Sequence, residues 1–308
     1  MPDIDTRRRP TGLQYEITLG TARVRVGSVA AVLREFSVDG KLFTEVWDDD
    51  KPAPYGCGIV LVPWPNRIAG GVWTLDGKAQ KLDLSDRSNN AASHGLLRNS
   101  SYELVEIDES AVTLGASIYP QHGYPFTLET FVTYRLADDG LHVTHRIVNV
   151  GAGTAPFGIG AHPYLRVGEH DIKDLRITLD ADTYFALDDT KIPTGTAPVE
   201  GTEVDLRAGV RLDAVSLDTC YTDIRLHGGQ YTATLAAPDG SGLVMWGDEA
   251  FSYIQVFTPR DYPGRALTVA VEPMTCPADA FNSGTGLRWL DPGESFEASW
   301  GLRPVQRV

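Results

Sequence analysis

The sequence predicts an all-β protein, a large antiparallel β-sandwich with very little helix. Three observations predict it. Apolar residues alternate with polar ones at a period of two, Asp-Gly pairs punctuate the alternation at short intervals, and no stretch sustains the apolar spacing of an amphipathic helix. The segment 141–149 shows the pattern most plainly, with Leu141, Val143, His145 and Ile147 on one face and His142, Thr144 and Arg146 on the other.

Runs of the same kind cover 22–26, 102–107, 131–136, 175–179, 231–236, 253–257, 267–271 and 296–302. Between them stand Asp39-Gly40, Asp76-Gly77, Asp139-Gly140 and Asp239-Gly240, the turn chemistry that closes hairpins. Hairpin signals continue across every candidate boundary, and neither a Gly, Ser or Pro-rich linker nor a fixed-period repeat divides the chain. Residues 1–308 therefore read as one β-sandwich domain, with 1–12 as a flexible N-terminal segment. Arg7, Arg8 and Arg9 are followed by no apolar h-region, which argues against a secretory or twin-arginine signal.

The chain has 308 residues, 27 Lys and Arg against 41 Asp and Glu, and a formal net charge of -14. That balance argues against nucleic acid, whose binding needs clustered cations to displace counterions. No uncharged apolar run is long enough to span a bilayer, so a membrane partner is not expected. A neutral small molecule fits better. Cys57, Cys220 and Cys276 are odd in number, widely separated and without C-x-x-C spacing, which points to a reduced, cytoplasmic setting. Cys276 lies near Glu272 but reads as a small buried hydrophobe rather than a nucleophile.

The most informative segment is 271–284, Val-Glu-Pro-Met-Thr-Cys-Pro-Ala-Asp-Ala-Phe-Asn-Ser-Gly. It follows the apolar run 267–271 and places Glu272 where the strand is expected to break into a Pro-rich loop, a position suited to holding a reactive group. Two His-centred segments match it in character, Ser93-His94-Gly95-Leu96 and Gly158-Ile159-Gly160-Ala161-His162-Pro163-Tyr164. Gly158 and Gly160 permit close backbone approach to a ligand, and Pro163 restricts the backbone of His162. On its own His162 fits a core histidine satisfied by a carbonyl, and His94 a solvated loop residue.

Together, His-Gly, Gly-x-x-x-His-Pro-Tyr and the late Glu-Pro with Asp-Ala-Phe-Asn-Ser-Gly resemble the aldose 1-epimerase (mutarotase) family over nearly the whole chain. The resemblance implies a galactose mutarotase-like supersandwich that interconverts the α and β anomers of a free aldose without metal or cofactor. Opening the hemiacetal needs a base at the C1 hydroxyl and an acid at the ring oxygen, and the two roles reverse on closure. Glu272 fills the first slot and His162 the second, and by resemblance His94 assists as a second donor. Asn66 and Arg67 match the family's Asn-Arg-Ile loop, where an Arg fork can bridge vicinal hydroxyls. Asp218 matches its hydroxyl-binding Asp, although Thr219 stands where the galactose-type pattern has His, which bears on sugar specificity.

Tyr164 and Trp246 are the aromatic candidates for the first shell of a pyranose, ahead of Trp64 and Phe281. His122 resembles a loop residue near the site. The expected partner is a small-molecule sugar bound by a monomer or homodimer. The alternatives are a hexose-6-phosphate 1-epimerase, which should bring a basic cluster to the rim, and a sugar-binding protein without catalysis. Metal ligation finds no His-x-x-x-His spacing, whereas glycoside hydrolysis stays open on spacing alone, since Asp218 could be its second carboxylate.

Overall fold

A computed structural model describes residues 3–305, and all of its strand ladders are antiparallel. The alternation at 141–149 becomes the strand Gly140–Asn149, which lies inside a nine-stranded sheet between Leu128–Ala137 and Ser295–Val305. The Asp-Gly turns fall where the sequence puts them. Asp39-Gly40 and Asp76-Gly77 have positive φ at both residues, the backbone that a two-residue hairpin turn needs.

A second, eight-stranded sheet carries Ala181–Leu187, Asp218–Ile224, Tyr253–Phe257 and Val269–Met274 side by side, followed by Gly160–Ala161 and Val60–Leu61. A five-stranded N-terminal sheet, in sequence order from Asp3–Arg9 to Lys41–Leu42, joins the same core. Val132, Val143 and Leu302 of the nine-stranded sheet bury with Ile254, Val256 and Val271 of the eight-stranded one in one continuous cluster. Each fully buried aliphatic side chain contributes about 1.5–3 kcal/mol, so this shared layer is the main force holding the sheets together. One short helix, Ala280–Ser283, is the only α-helix among the described residues.

Two sequence expectations need correction. The segment 1–12 is not a free tail over its described part, because Asp3–Arg9 forms a hairpin with Gly12–Leu19. Arg9 pins it by pairing with Asp5 and Asp49. Residues 1, 2 and 306–308 lie outside the described residues.

The strand leading to Glu272 also does not end there. Val269–Met274 runs through it, with Glu272 opposite Gln255 and Pro273 opposite Ile254. Pro273 is tolerated because of where its missing N–H falls. Val271 and Thr275 donate to the carbonyls of Pro163 and Ile159 on the other side, and the amide between those two belongs to residue 273. The ladder is interrupted there, beside His162.

Candidate active site

Alternation along the eight-stranded sheet decides which side chains meet. Val271 and Pro273 flank Glu272, and Ile254 and Val256 flank Gln255; with these neighbours turned to the core face, Glu272 and Gln255 share the opposite face, level with each other. Cys220 is level with Gln255 on the next strand, and Asp218 is two residues away on the same side. Three adjacent strands therefore deliver Asp218, Gln255 and Glu272 to one surface.

His162 arrives from the irregular stretch between Gly160–Ala161 and Tyr164–Leu165. Its Nε2 stands 3.4 Å from Glu272 Oε1, and both side chains are almost sealed from water. Burial pushes the Glu272 carboxyl well above the usual carboxylate range, and the Asp218 charge adds to the rise while Arg67 opposes it. Burial pushes the His162 imidazole down, because its charged form loses solvation. The two groups together hold one proton most readily, on Glu272 with His162 neutral.

His94 completes an imidazole pair, its ring edge-on to that of His162 at 5.3 Å between centroids. Burial, followed by the nearby His162, pushes it well below the usual imidazole value, so it too is neutral near pH 7. Its backbone is left-handed, as is that of Asn66, and the His94 N–H donates to the Asn66 carbonyl at 2.8 Å. Two non-glycine residues in that region, bonded to each other, mark a tightly determined local structure. Gly95 makes it possible: with φ of +75°, it places the chain where a Cβ would stand 2.0 Å from the Val62 carbonyl oxygen.

A hydrogen-bonded chain crosses the floor of the site. Gln255 Nε2 donates to Asp218 Oδ1 at 2.7 Å, and Asn66 Nδ2 donates to Gln255 Oε1 at 3.3 Å. Arg67 Nη1 donates to Asn66 Oδ1 at 3.2 Å, and its Nε donates to Asp86 at 2.9 Å. Burial opposes ionisation of Asp86, but hydrogen bonds from Asn89, Ser88 and Arg67 outweigh it and hold the carboxyl far below its ordinary value. Arg67 is thereby oriented without being the charge of last resort for Glu272.

The predicted residues Glu272, His162, His94, Asn66, Arg67 and Asp218 thus converge. Tyr164 comes with them as a fully buried ring behind His162, not as a platform open to a ligand. Trp246 does not join them. It pairs with Gly301 on the outer side of the nine-stranded sheet, where His142 lies against it and Arg303 covers its face. Trp64 and Phe281 are core residues packed edge to face, and His122 is exposed on the turn closed by Gln121 and Tyr124.

Gly158 serves packing rather than a ligand, since a Cβ there would stand 2.4 Å from Cys276 Sγ. All three Cys are buried, and burial raises the Cys276 thiol to about 12, which fits an inert reading. Among the described residues no group of three or more His, Cys, Asp or Glu is arranged to hold a metal ion. Sequence reasoning missed Gln255, the joint of the hydrogen-bonded chain. Its signal was an isolated polar residue in the run Tyr-Ile-Gln-Val-Phe, which becomes informative only once Asp218–Ile224 is known to lie alongside.

The profile of the aldose 1-epimerase family matches residues 14–303. The protein YihR of Escherichia coli K12 is 30% identical over 291 residues, covering 94% of this chain and 92% of its own length. Galactose mutarotase of Sus scrofa is 35% identical over 179 residues, which is 55% of this chain and only half of that protein. A galactose mutarotase-like protein of Clostridium acetobutylicum superposes with a TM-score of 0.87 over 100% of this chain and 99% of its own, at 17% identity, and so shares the fold. With its all-β architecture and a sequence match running from one end of that architecture to the other, the chain belongs to the aldose 1-epimerase family.

Proposed function

We propose that this chain is an aldose 1-epimerase that interconverts the α and β anomers of a free, neutral aldose, with Glu272 as base and His162 as acid. The observation that carries the reading is the buried contact between Glu272 Oε1 and His162 Nε2 at 3.4 Å. A base and an acid that share one proton suit a reaction that must run equally well in both directions. In ring opening Glu272 takes the proton of the C1 hydroxyl, the bond from C1 to the ring oxygen breaks, and that oxygen keeps the electron pair and receives a proton from His162. Rotation about the bond from C1 to C2 and the reverse transfers close the ring on the other face.

The net result for the protein is a proton moved from His162 to Glu272, and that product state is the one burial already favours. The starting state, with Glu272 ionised and His162 charged, is the one burial disfavours, so the shared proton must pass from Glu272 to His162 as the sugar enters, before ring opening begins. His94 is placed to donate a hydrogen bond to the same oxygen or its neighbour. The chain from Asp218 through Gln255 and Asn66 to Arg67 offers acceptors and donors for the remaining hydroxyls. The phosphorylated alternative is less well supported. Arg67 is held by Asp86 and Asn66, and Arg98 donates to the Ser93 carbonyl. We read residues 1–308 as one catalytic unit acting as a monomer or homodimer in the cytoplasm.

The test is anomer exchange, followed by polarimetry or NMR, across a panel of free aldoses with the wild-type protein and with Glu272→Gln and His162→Asn. Glu272→Gln preserves shape but cannot accept a proton, so exchange should fall on the order of a hundredfold or more with the fold intact. His162→Asn should lower kcat more than affinity. Near-wild-type exchange by Glu272→Gln would remove Glu272 from the base role.

A further inference from the structure

We propose that Lys191 is a specificity-determining residue, which together with Asp218 forms a donor and acceptor pair at the mouth of the site for adjacent hydroxyls on the ring edge remote from C1. The inference rests on the epimerase reading and deepens it. Lys191 Nζ lies 3.5 Å from Asp218 Oδ2, while Oδ1 of the same carboxylate is occupied by Gln255. The lysine side chain is 42% exposed and the aspartate 25%, so water, and hence a polar ligand, reaches the pair.

The lysine is brought there by a built turn. Ala181–Leu187 pairs with Asp218–Ile224 with Tyr184 opposite Tyr221, and continuing that register brings Leu187 level with Asp218. The chain then reverses through 188–192 into Pro193–Pro198. Asp188 organises the reversal, because its Oδ1 accepts from the Thr190 N–H, the Thr190 hydroxyl and the Ile192 N–H. Lys191 itself is left-handed, at φ of +64°, and its N–H donates to the Asp188 carbonyl. A lysine in that conformation at the tip of a pinned turn is aimed, so less of its rotamer freedom is lost when it takes a ligand.

The distance is what gives the pair a use. Charge-assisted N–H to O bonds are about 2.7–2.9 Å long, and a half-exposed pair held looser than that contributes little to stability. A sugar hydroxyl, however, is both donor and acceptor. One hydroxyl can give its proton to Asp218 Oδ2 while its own oxygen, or that of its neighbour, accepts from Lys191. Once the sugar covers the pair and excludes water, both contacts strengthen. A deoxy sugar would leave a charged pair covered and unmatched, which is the arrangement that discriminates most strongly between substrates. The turn Asp-Asp-Thr-Lys otherwise reads as a solvated loop.

The test compares wild type, Lys191→Met and Lys191→Arg on the aldose panel and on monodeoxy analogues of its best substrate, with binding by NMR titration and melting temperature as the control for folding. Lys191→Met should raise KM and Kd for the best substrate by about tenfold, lower kcat less than threefold, and leave the melting temperature within a degree or two. Lys191→Arg should restore most of the affinity. At least one deoxy analogue should bind wild type about tenfold more weakly than the parent and bind Lys191→Met no more weakly than the parent does. Unchanged KM and Kd in Lys191→Met, or an equal loss on every sugar and every analogue, would overturn the proposal. If wild type binds the aldoses without exchanging them, the epimerase reading fails while the binding data still decide the role of Lys191. If it neither binds nor exchanges any aldose, both readings fall.

Discussion

The ring of Tyr164 lies almost flat against the imidazole of His162, with centroids 5.3 Å apart and planes 7° from parallel. The tyrosine in turn packs on Tyr262, and Tyr262 stacks on the exposed Tyr55. The imidazole is thus held from behind by a column of rings, which leaves its nitrogens as the groups free to act.

Tyr164 therefore makes a separable prediction. Its hydroxyl is buried without a hydrogen-bond partner, so Tyr164→Phe should leave exchange within about threefold and stability equal or slightly higher, since an unsatisfied buried polar group is removed. Tyr164→Leu removes the flat face together with part of the bulk, and kcat should fall by about tenfold or more, with a lower melting temperature from the cavity it leaves. Steady-state exchange kinetics and thermal melts of the two variants read this out. Equal loss in both would mean that the hydroxyl, not the stacking, matters.

Gln255 should behave as the joint of the hydrogen-bonded chain. In Gln255→Leu, Asp218 loses a 2.7 Å donor and Asn66 loses its acceptor, while the strand and its core face are unchanged. A roughly tenfold or greater rise in KM is expected, with Gln255→Glu worse than Gln255→Leu because it adds a carboxylate beside Asp218 and Glu272. If Gln255→Glu binds sugar as well as wild type, the joint is not where substrate affinity is set.

Acid should unfold this protein partly through its buried imidazoles. His145 is packed on Phe251 inside the core and accepts from the Trp300 indole, and burial holds its pKa down to about 3, below the ordinary 6.5. Between about pH 6.5 and 3 the unfolded chain binds the proton and the folded one does not, so stability falls as pH drops through that window and is insensitive to this group above it. His94 and His162 are depressed in the same direction and add to the effect. His145→Gln, which keeps an acceptor for Trp300 but does not titrate, should melt lower than wild type at pH 7 yet lose less on going to pH 4.5. Parallel melting curves across that range would count against the account.

Charge should matter little to the substrate. Arg67 and Arg98 engage acceptors of the protein, the charge of Lys191 is offset by the neighbouring Asp218, and the chain carries a net charge of -14. A neutral aldose should have a higher kcat/KM than its 6-phosphate, and raising salt from about 50 to 500 mM should change that value less than twofold, because screening acts on charged partners. A preference for the phosphate that collapses with salt would replace the neutral-aldose assignment.

Much of this was legible in the sequence, for definite reasons. The period of two at 141–149 and the Asp-Gly pairs encode local backbone geometry, so the strands and turns follow directly. Glu272, His162, His94 and Asp218 announced themselves through their neighbours in short motifs. Gln255 and Lys191 did not, because an outward polar residue in a strand and a lysine in a turn are ordinary until long-range pairing shows what stands beside them. Trp246 was misplaced for a related reason: alternation tells which residues share a face but not which face is covered, and Gly301 opposite it left room for an indole on the outer one. Glu272 was expected at a strand end because Pro273 reads as a breaker, and the missing amide fell at a gap that the sequence does not display.

The register that puts Asp218, Gln255 and Glu272 on three neighbouring strands also separates two inheritances. Glu272, the proposed base, is fixed by ladders on which the whole sheet depends, whereas the turn 188–192 is a surface appendage that can lengthen, shorten or change residues without disturbing those ladders. On the function proposed for this scaffold, descendants, natural or made by directed evolution, would acquire a taste for a new sugar by rewriting a handful of codons in one hairpin, while Glu272 and His162 pass down untouched.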